Sequence, residues 1–308
     1  MADDYFDSRL TERRNPRSHT IDTASPLEIV DLIGAEDATV PAAVALARGE
    51  IARAIELAEA AFRAGGRLLY VGAGTSGRLG VLDAAECPPT FGTPPEMVVG
   101  IIAGGYPALV RSVEGAEDDV STGRGEMDAS RVGADDLVIG IAASGTTPFV
   151  GAALSRAQTL GARTAFVSCS QPPKQLRETC DVCITVLVGP EIVTGSTRMK
   201  AGTATKLVLN TITTGAMIRM GKIYGNLMVD LRAWNEKLVD RSQRIVMETT
   251  GLARDEARGV IEAADGQVKT AIVMARRGVS RTEAERLLEE HSGRLREVVG
   301  DPPPVATV

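Results

Sequence analysis

Arg67-Leu68-Leu69-Tyr70-Val71-Gly72-Ala73-Gly74-Thr75-Ser76-Gly77 decides how this chain is read. The run Arg67–Val71 is short, apolar and bounded by glycines, which fits a buried strand, and the glycine-rich turn after it opens a helix. Similar runs recur at Met97–Ala103, Leu137–Ala142, Thr164–Ser168 and Val182–Val188. Helical stretches fall between them at Gly77–Ala85, Pro107–Val113, Pro148–Leu160 and Lys174–Glu178. Strands alternating with helices imply right-handed crossovers and a parallel sheet covered on both faces. Ligands on such sheets bind outside the carboxyl ends of the strands.

Upstream, residues 1–25 are polar and irregular (Arg13, Arg14, Asn15, Pro16, Arg17, Ser18) and read as an arm that is loose or ordered by docking. Ser25-Pro26-Leu27-Glu28 then opens a helix, with Ser25 as cap and Glu28 as the capping-box acid. A second helix begins near Val40-Pro41, shows apolar spacing at Ile51, Ala54, Ile55 and Ala58, and stops at Gly65-Gly66. Downstream, Met199–Met220 and Leu227–Thr249 read as long helices, and Ala253–Ala264, Gln267–Arg276 and Arg281–Leu288 as a small satellite bundle. The expected division is an N-terminal arm with helices over 1–55, a sheet domain over 56–220, a connecting helical segment over 221–250 and a helical subdomain over 251–308.

Composition bounds the function. The 308 residues are 44% hydrophobic and 24% charged, enough apolar material for a sizeable core. A formal charge of −6 argues against a dedicated nucleic-acid binder, and 3% aromatics against a stacking platform. Residues 1–20 are too charged for a secretory signal, and the longest uncharged stretch, Leu137–Ser155, is broken by Ser144-Gly145-Thr146-Thr147-Pro148. Four cysteines make no disulfide framework. A soluble cytoplasmic protein is expected, with no membrane or nucleic-acid partner.

Two strand-to-helix turns are rich in hydroxyls: Gly72–Gly77, with Thr75 and Ser76, and Ala143–Pro148, with Ser144, Gly145, Thr146 and Thr147. Amides at a helix start together with hydroxyls suit a monophosphate or sugar phosphate, although Ser and Thr also favour such positions as plain caps. The G-x-G-x-x-G spacing of the first turn admits a dinucleotide. The ribose-binding acid expected after the second strand is replaced by Ala103-Gly104-Gly105. A third turn, Thr194–Thr203, adds Ser196, Arg198 and Lys200, cations that are either solvated or in contact with a ligand.

Asp83, Glu86 and Glu117 stand near expected carboxyl ends of strands. Glu86 precedes Pro88-Pro89, a stiff exit from the helix that would hold a carboxylate in place for proton transfer. Glu114 and Glu117 lie in an acidic run that reads, from spacing alone, as a solvated helix end. His19 and His291 are the only histidines, which disfavours a histidine triad or a histidine-rich metal site. Cys180-Asp181-Val182-Cys183 has no second cysteine pair and reads as core packing, and Cys87 as structural.

Together these segments resemble N-acetylmuramic acid 6-phosphate etherases. The resemblance is carried by Val71–Gly80, Glu86-Cys87-Pro88-Pro89-Thr90, Val113–Asp118, Gly140–Gly145, Val193–Thr203, Gly225–Asp230 and Asn235-Glu236-Lys237-Leu238. It covers nearly the whole chain. It implies a sugar isomerase (SIS) fold, a flavodoxin-like parallel sheet sandwiched by helices, with N-terminal helices and a small C-terminal helical bundle. It also implies a homodimer that needs no metal or nicotinamide cofactor and cleaves the D-lactyl ether of N-acetylmuramic acid 6-phosphate by elimination and hydration. Under it Glu86 is the acid that protonates departing lactate and Glu117 the base at C2, a reversal of the solvated reading. Thr75, Ser76, Ser144, Gly145, Thr146, Thr147 and Ser196 would bind the phosphosugar, with Lys237 reaching in, from a partner subunit. The chain departs from many members in having Thr146 where they have Arg, and Ser170 where Asn is common. A non-catalytic phosphosugar-binding regulator and a phosphosugar isomerase remain as alternatives on the same fold.

Overall fold

A computed structural model describes residues 9–231 and 236–304. Asn235 and the residues 232–234 before it lie outside the described residues. Contacts divide the chain into two compact units, Met1–Ala85 with Glu96–Thr213, and Glu86–Pro95 with Thr214–Val308.

In the first unit the capping box forms as the sequence expects: Ser25 Oγ accepts from the Glu28 amide, and the Glu28 carboxylate accepts from the Ser25 amide at 2.7 Å. It opens α1 (Pro26–Asp37), followed by α2 (Val40–Leu46) and α3 (Arg48–Arg63). Ile51, Ala54 and Ala58 of α3 are buried along one stripe. Strand β1 (Leu68–Gly72) is buried at every residue. It pairs in parallel with β2 (Val98–Ile102) on one side and with β3 (Leu137–Ile141) on the other, Tyr70 facing Gly100 and Ile139. β4 (Arg163–Ser168) and β5 (Val182–Thr185) complete the order β2-β1-β3-β4-β5. All five runs expected as strands are strands. Burial on both faces of a parallel sheet explains why they read as continuous apolar runs rather than alternating ones.

The crossovers are α4 (Gly74–Phe91), the short α5 (Pro107–Val110), α6 (Val120–Ala129), α7 (Pro148–Thr159) and α8 (Lys174–Thr179). Two of these differ from expectation. Pro88 and Pro89 do not end the helix before them; α4 runs through both to Phe91. Their rings remove two amide donors, but the next turn closes where the Pro88 carbonyl accepts from the Gly92 amide at 2.9 Å, with Gly92 at φ +62. Helix α6 carries glycines at 123 and 125 and no apolar stripe. Its start is set by Asp119, whose side chain caps it.

Of the two readings of the arm, residues 9–23 show the docked one: they are ordered as three 3-10 turns. Asn15 Nδ2 donates to the Pro190 carbonyl, Ser18 Oγ to the Ile192 carbonyl at 2.7 Å, and the Gly195 amide to the Thr11 carbonyl. α9 (Lys200–Arg219) follows, its first amides satisfied by buried Glu191, which accepts from Lys200 and Ala201 at 3.0 and 2.9 Å.

The second unit corrects the expected helix over Leu227–Thr249. Ile223–Tyr224 (β6) and Leu227–Met228 (β7) form a hairpin, and α10 is described over Glu236–Thr250. Gly225 at φ +61 supplies the hairpin turn, just ahead of the expected helix. α11 (Arg254–Ala263), α12 (Val268–Arg277) and α13 (Arg281–Glu290) confirm the satellite bundle, with a further short α14 (Leu295–Val299). Val246, Ala257, Ile272, Ala284 and Leu295 meet in its own apolar core.

Candidate active site

Sheet order reverses between β1 and β3, so the crevice beyond their carboxyl ends is where such a sheet takes a ligand. The two hydroxyl-rich turns leave those two strands. In the first, Gly72 and Gly77 approach so closely that a Cβ on Gly77 would lie 2.7 Å from the Gly72 carbonyl oxygen and 2.6 Å from Ile102 Cγ1. The glycine spacing is therefore explained by the tight strand-to-helix turn itself.

The second turn is folded around Gly145 at φ +82, its amide donating to the Ala142 carbonyl at 2.9 Å. Ser144 Oγ accepts from the Thr146 amide and lies 3.3 Å from Thr146 Oγ1. Thr147 and Pro148 then begin the 12-residue α7. The turn therefore presents hydroxyls and helix-start amides in one place, an arrangement suited to an oxyanion.

Glu117 belongs to the same place. Gly115, at φ +74, turns the chain into the 3-10 turn Ala116–Asp118. Asp119 pins the far side of that turn: its carboxylate accepts from Ser121 Oγ and Thr122 Oγ1 at 2.6 Å each and from the Thr122 amide at 2.9 Å. These bonds, the Ser121 hydroxyl first, hold the Asp119 carboxyl well below the usual range. A cavity of about 560 Å³ is lined by Glu117, Asp118 and Ser144–Pro148, with Arg9 and Arg124 at its wall. Glu117 also lines a smaller cavity of about 120 Å³ with Ala73, Gly74, Arg78 and Glu114. It thus stands between the turn after β1 and the turn after β3. Glu117 is exposed and makes no hydrogen bond or ion pair among the described residues, so its carboxylate is available.

The structure brings Ser144, Gly145, Thr146, Thr147 and Glu117 together. Thr75 and Ser76 are half-buried at the start of α4 and line neither cavity. Ser196, its amide bonded to the Val193 carbonyl, also lines neither. Glu86 and Lys237, both exposed, belong to the second unit. Asp83 is 5% exposed and accepts from Tyr70 Oη at 2.9 Å, Asn210 Nδ2 at 2.5 Å and Thr213 Oγ1 at 3.2 Å, so it locks α4 to β1 and α9. Lys200 is neither solvated nor at a ligand: its ammonium is 2.5 Å from Glu36, both side chains almost fully buried. Sequence reasoning missed Arg9 and Arg124, because nothing in their spacing marks them among the chain's many arginines. Among the described residues, no cluster of metal-ligating side chains is found and no helix is long and apolar enough to cross a membrane.

Residues 50–158 match the family of the glucokinase regulatory protein N-terminal SIS domain. The chain is 51% identical over 290 residues to the N-acetylmuramic acid 6-phosphate etherase of Pectobacterium atrosepticum, covering 94% of this chain and 95% of that one. It is 55% identical over 263 residues to the etherase of Rhodopirellula baltica, covering 85% and 87%. The chain belongs to the N-acetylmuramic acid 6-phosphate etherase family. Etherase 2 of Vibrio parahaemolyticus matches at 50% over 96% of this chain and 98% of its own. The etherase family therefore spans both units described above, and the α/β sheet of the first is of the SIS type. Among solved structures, phosphoheptose isomerase GmhA from Neisseria gonorrhoeae is 18% identical, covering 62% of this chain and 97% of that one, with a TM-score of 0.47.

Proposed function

We propose that this protein cleaves the D-lactyl ether of N-acetylmuramic acid 6-phosphate, releasing D-lactate and N-acetylglucosamine 6-phosphate in cell-wall amino-sugar recycling. Family membership over nearly the whole chain supports this. The observation that carries it to the site is the cavity where Glu117 faces the hydroxyl-rich turn Ser144–Thr147. In the open-chain sugar, C1 is an aldehyde, which acidifies the proton on C2. Glu117 removes that proton, the C3–O bond breaks, and Glu86 protonates the departing lactate oxygen. Water then adds at C3 of the unsaturated aldehyde, its proton returned to C2, so the net reaction consumes one water. Two carboxylates suffice for such chemistry when their proton affinities are held apart.

In this reading Ser144, Gly145, Thr146 and Thr147 hold the phosphate, Thr75, Ser76 and Ser196 contact the sugar, and Lys237 reaches the site from the partner subunit of a cytoplasmic homodimer. The test is D-lactate release from N-acetylmuramic acid 6-phosphate. Glu86→Gln and Glu117→Gln are each expected to lower kcat by about 10²–10⁴. Release untouched by either substitution would overturn the assigned roles.

The match to the glucokinase regulatory protein's SIS domain favours a second reading, a phosphosugar-binding regulator without turnover. Phosphosugar binding in the absence of lactate release would select it.

A further inference from the structure

The N-terminal arm delivers a cation to the oxyanion turn. Arg9 Nη1 donates to Thr146 Oγ1 at 2.9 Å across 137 residues of sequence, and Arg9 lines the same cavity as Ser144–Thr147 and Glu117. The arm that carries it is anchored independently: Thr11 is fully buried, and its carbonyl accepts from the Gly195 amide. Asn15 and Ser18 bind the carbonyls of Pro190 and Ile192. Arg9 is thus held at the turn by a docked backbone.

The direction of the hydrogen bonds decides what this contact does. A guanidinium can only donate, so Thr146 Oγ1 must accept from it. Likewise Ser144 Oγ accepts from the Thr146 amide. With one lone pair taken by Arg9, the Thr146 hydroxyl keeps its proton for Ser144 Oγ, 3.3 Å away, or for a ligand at the turn. Thr146 is thereby biased toward donating at the start of α7, beside helix-start amides and a positive charge. Every group so oriented favours an anion with several acceptor oxygens.

We propose that Arg9 is a positioning residue for the substrate phosphate: it fixes the Thr146 hydroxyl as a donor and adds the charge that the turn itself lacks. This rests on the reading that the turn Ser144–Thr147 holds the phosphate. The expected effect is on ground-state binding, because the phosphate is remote from the bonds that change. Arg9→Ala should raise KM for the muramic acid phosphate by roughly ten- to a hundredfold with kcat within about twofold, the size of one charge-assisted contact. Arg9→Lys should recover only part of this, since a lysine is a point charge without the planar fork.

The decisive variant is Arg9→Ala combined with Thr146→Arg, which places a guanidinium on the turn directly. If Arg9 serves the phosphate, the double variant recovers KM; if it only docks the arm, KM stays high or kcat falls as well, and the proposal is overturned. Inorganic phosphate binding by titration calorimetry separates this from the activity itself. Wild-type protein that binds phosphate, weakened at least tenfold by Arg9→Ala, supports the proposal even where no lactate is released. Equal phosphate affinity in wild type and Arg9→Ala overturns it even where lactate release is normal.

Discussion

Asp136 shows how one buried carboxylate can close a corner of the sheet. It is 5% exposed and accepts from the Arg67 amide at 2.8 Å, from Arg67 Nη2 at 2.7 Å and from the Gly133 amide at 3.0 Å. Burial alone would raise its carboxyl, but the Arg67 hydrogen bonds, the Gly133 amide and the Arg67 charge bring it net below its ordinary 3.8. A carboxyl depressed in this way contributes stability above its unfolded pKa and loses it as pH falls through the lower folded value. Asp136→Asn should cost about 2–3 kcal/mol at neutral pH, and the gap to wild type should shrink in urea melts below about pH 4. Gly145 makes a second prediction at this scale. At φ +82 a side chain is strained, so Gly145→Ala should lose about 1–2 kcal/mol and raise KM, because the same backbone shapes the hydroxyl turn.

At the scale of elements, α6 and α7 cross at Gly123. A Cβ there would lie 2.3 Å from the Phe149 carbonyl oxygen, which is backbone and cannot yield cheaply. Gly125, in the same helix, has nothing within 4 Å of its virtual Cβ. Gly123→Ala should therefore destabilise by about 2 kcal/mol or more, while Gly125→Ala should stabilise by about 0.5–1 kcal/mol through helix propensity alone. Thermal melts of the two variants should move in opposite directions. The Lys200–Glu36 pair ties α9 to α1 in the same way. Its side chains are 3% and 4% exposed, and burial would raise the Glu36 carboxyl, but the Lys200 hydrogen bond and charge, then Arg17, bring it below its usual range. Lys200→Met alone should cost about 2–3 kcal/mol, because Glu36 loses its buried partner but keeps Arg17 at 2.5 Å, and adding Glu36→Leu should recover part of it.

For the whole molecule, each unit has its own fully buried apolar side chains, Ile139 in the sheet and Ile272 in the satellite bundle. Ile272→Ala should cost about 3–4 kcal/mol, as loss of a core side chain does anywhere. The proposed homodimer predicts a sedimenting species of twice the 32.4 kDa chain. A species at the chain mass would remove Lys237 of the partner subunit from the site.

Much of this was written locally. The strands announced themselves because a parallel sheet covered on both faces needs unbroken apolar runs, and Ser25 with Glu28 announced a helix start because a capping box is complete within a few residues. The turn Ser144–Thr147 was legible for the same reason: its hydroxyls and the start of α7 are adjacent in the chain. The sequence misled where neighbours decide the outcome, at Pro88-Pro89, which lie inside α4, and at Leu227-Met228, which pair as β7 instead of opening a helix.

The fate of the charges was not written locally. Lys200 and Glu36 meet across 164 residues and Arg9 and Thr146 across 137, and no spacing rule reaches so far. The sequence by itself determined the alternation of strand and helix and the chemistry of each turn, because hydrogen bonds between near neighbours specify them. Only the tertiary structure decided which cations are buried in the core and which are brought beside the hydroxyl-rich turn, because burial and pairing depend on what distant segments place alongside.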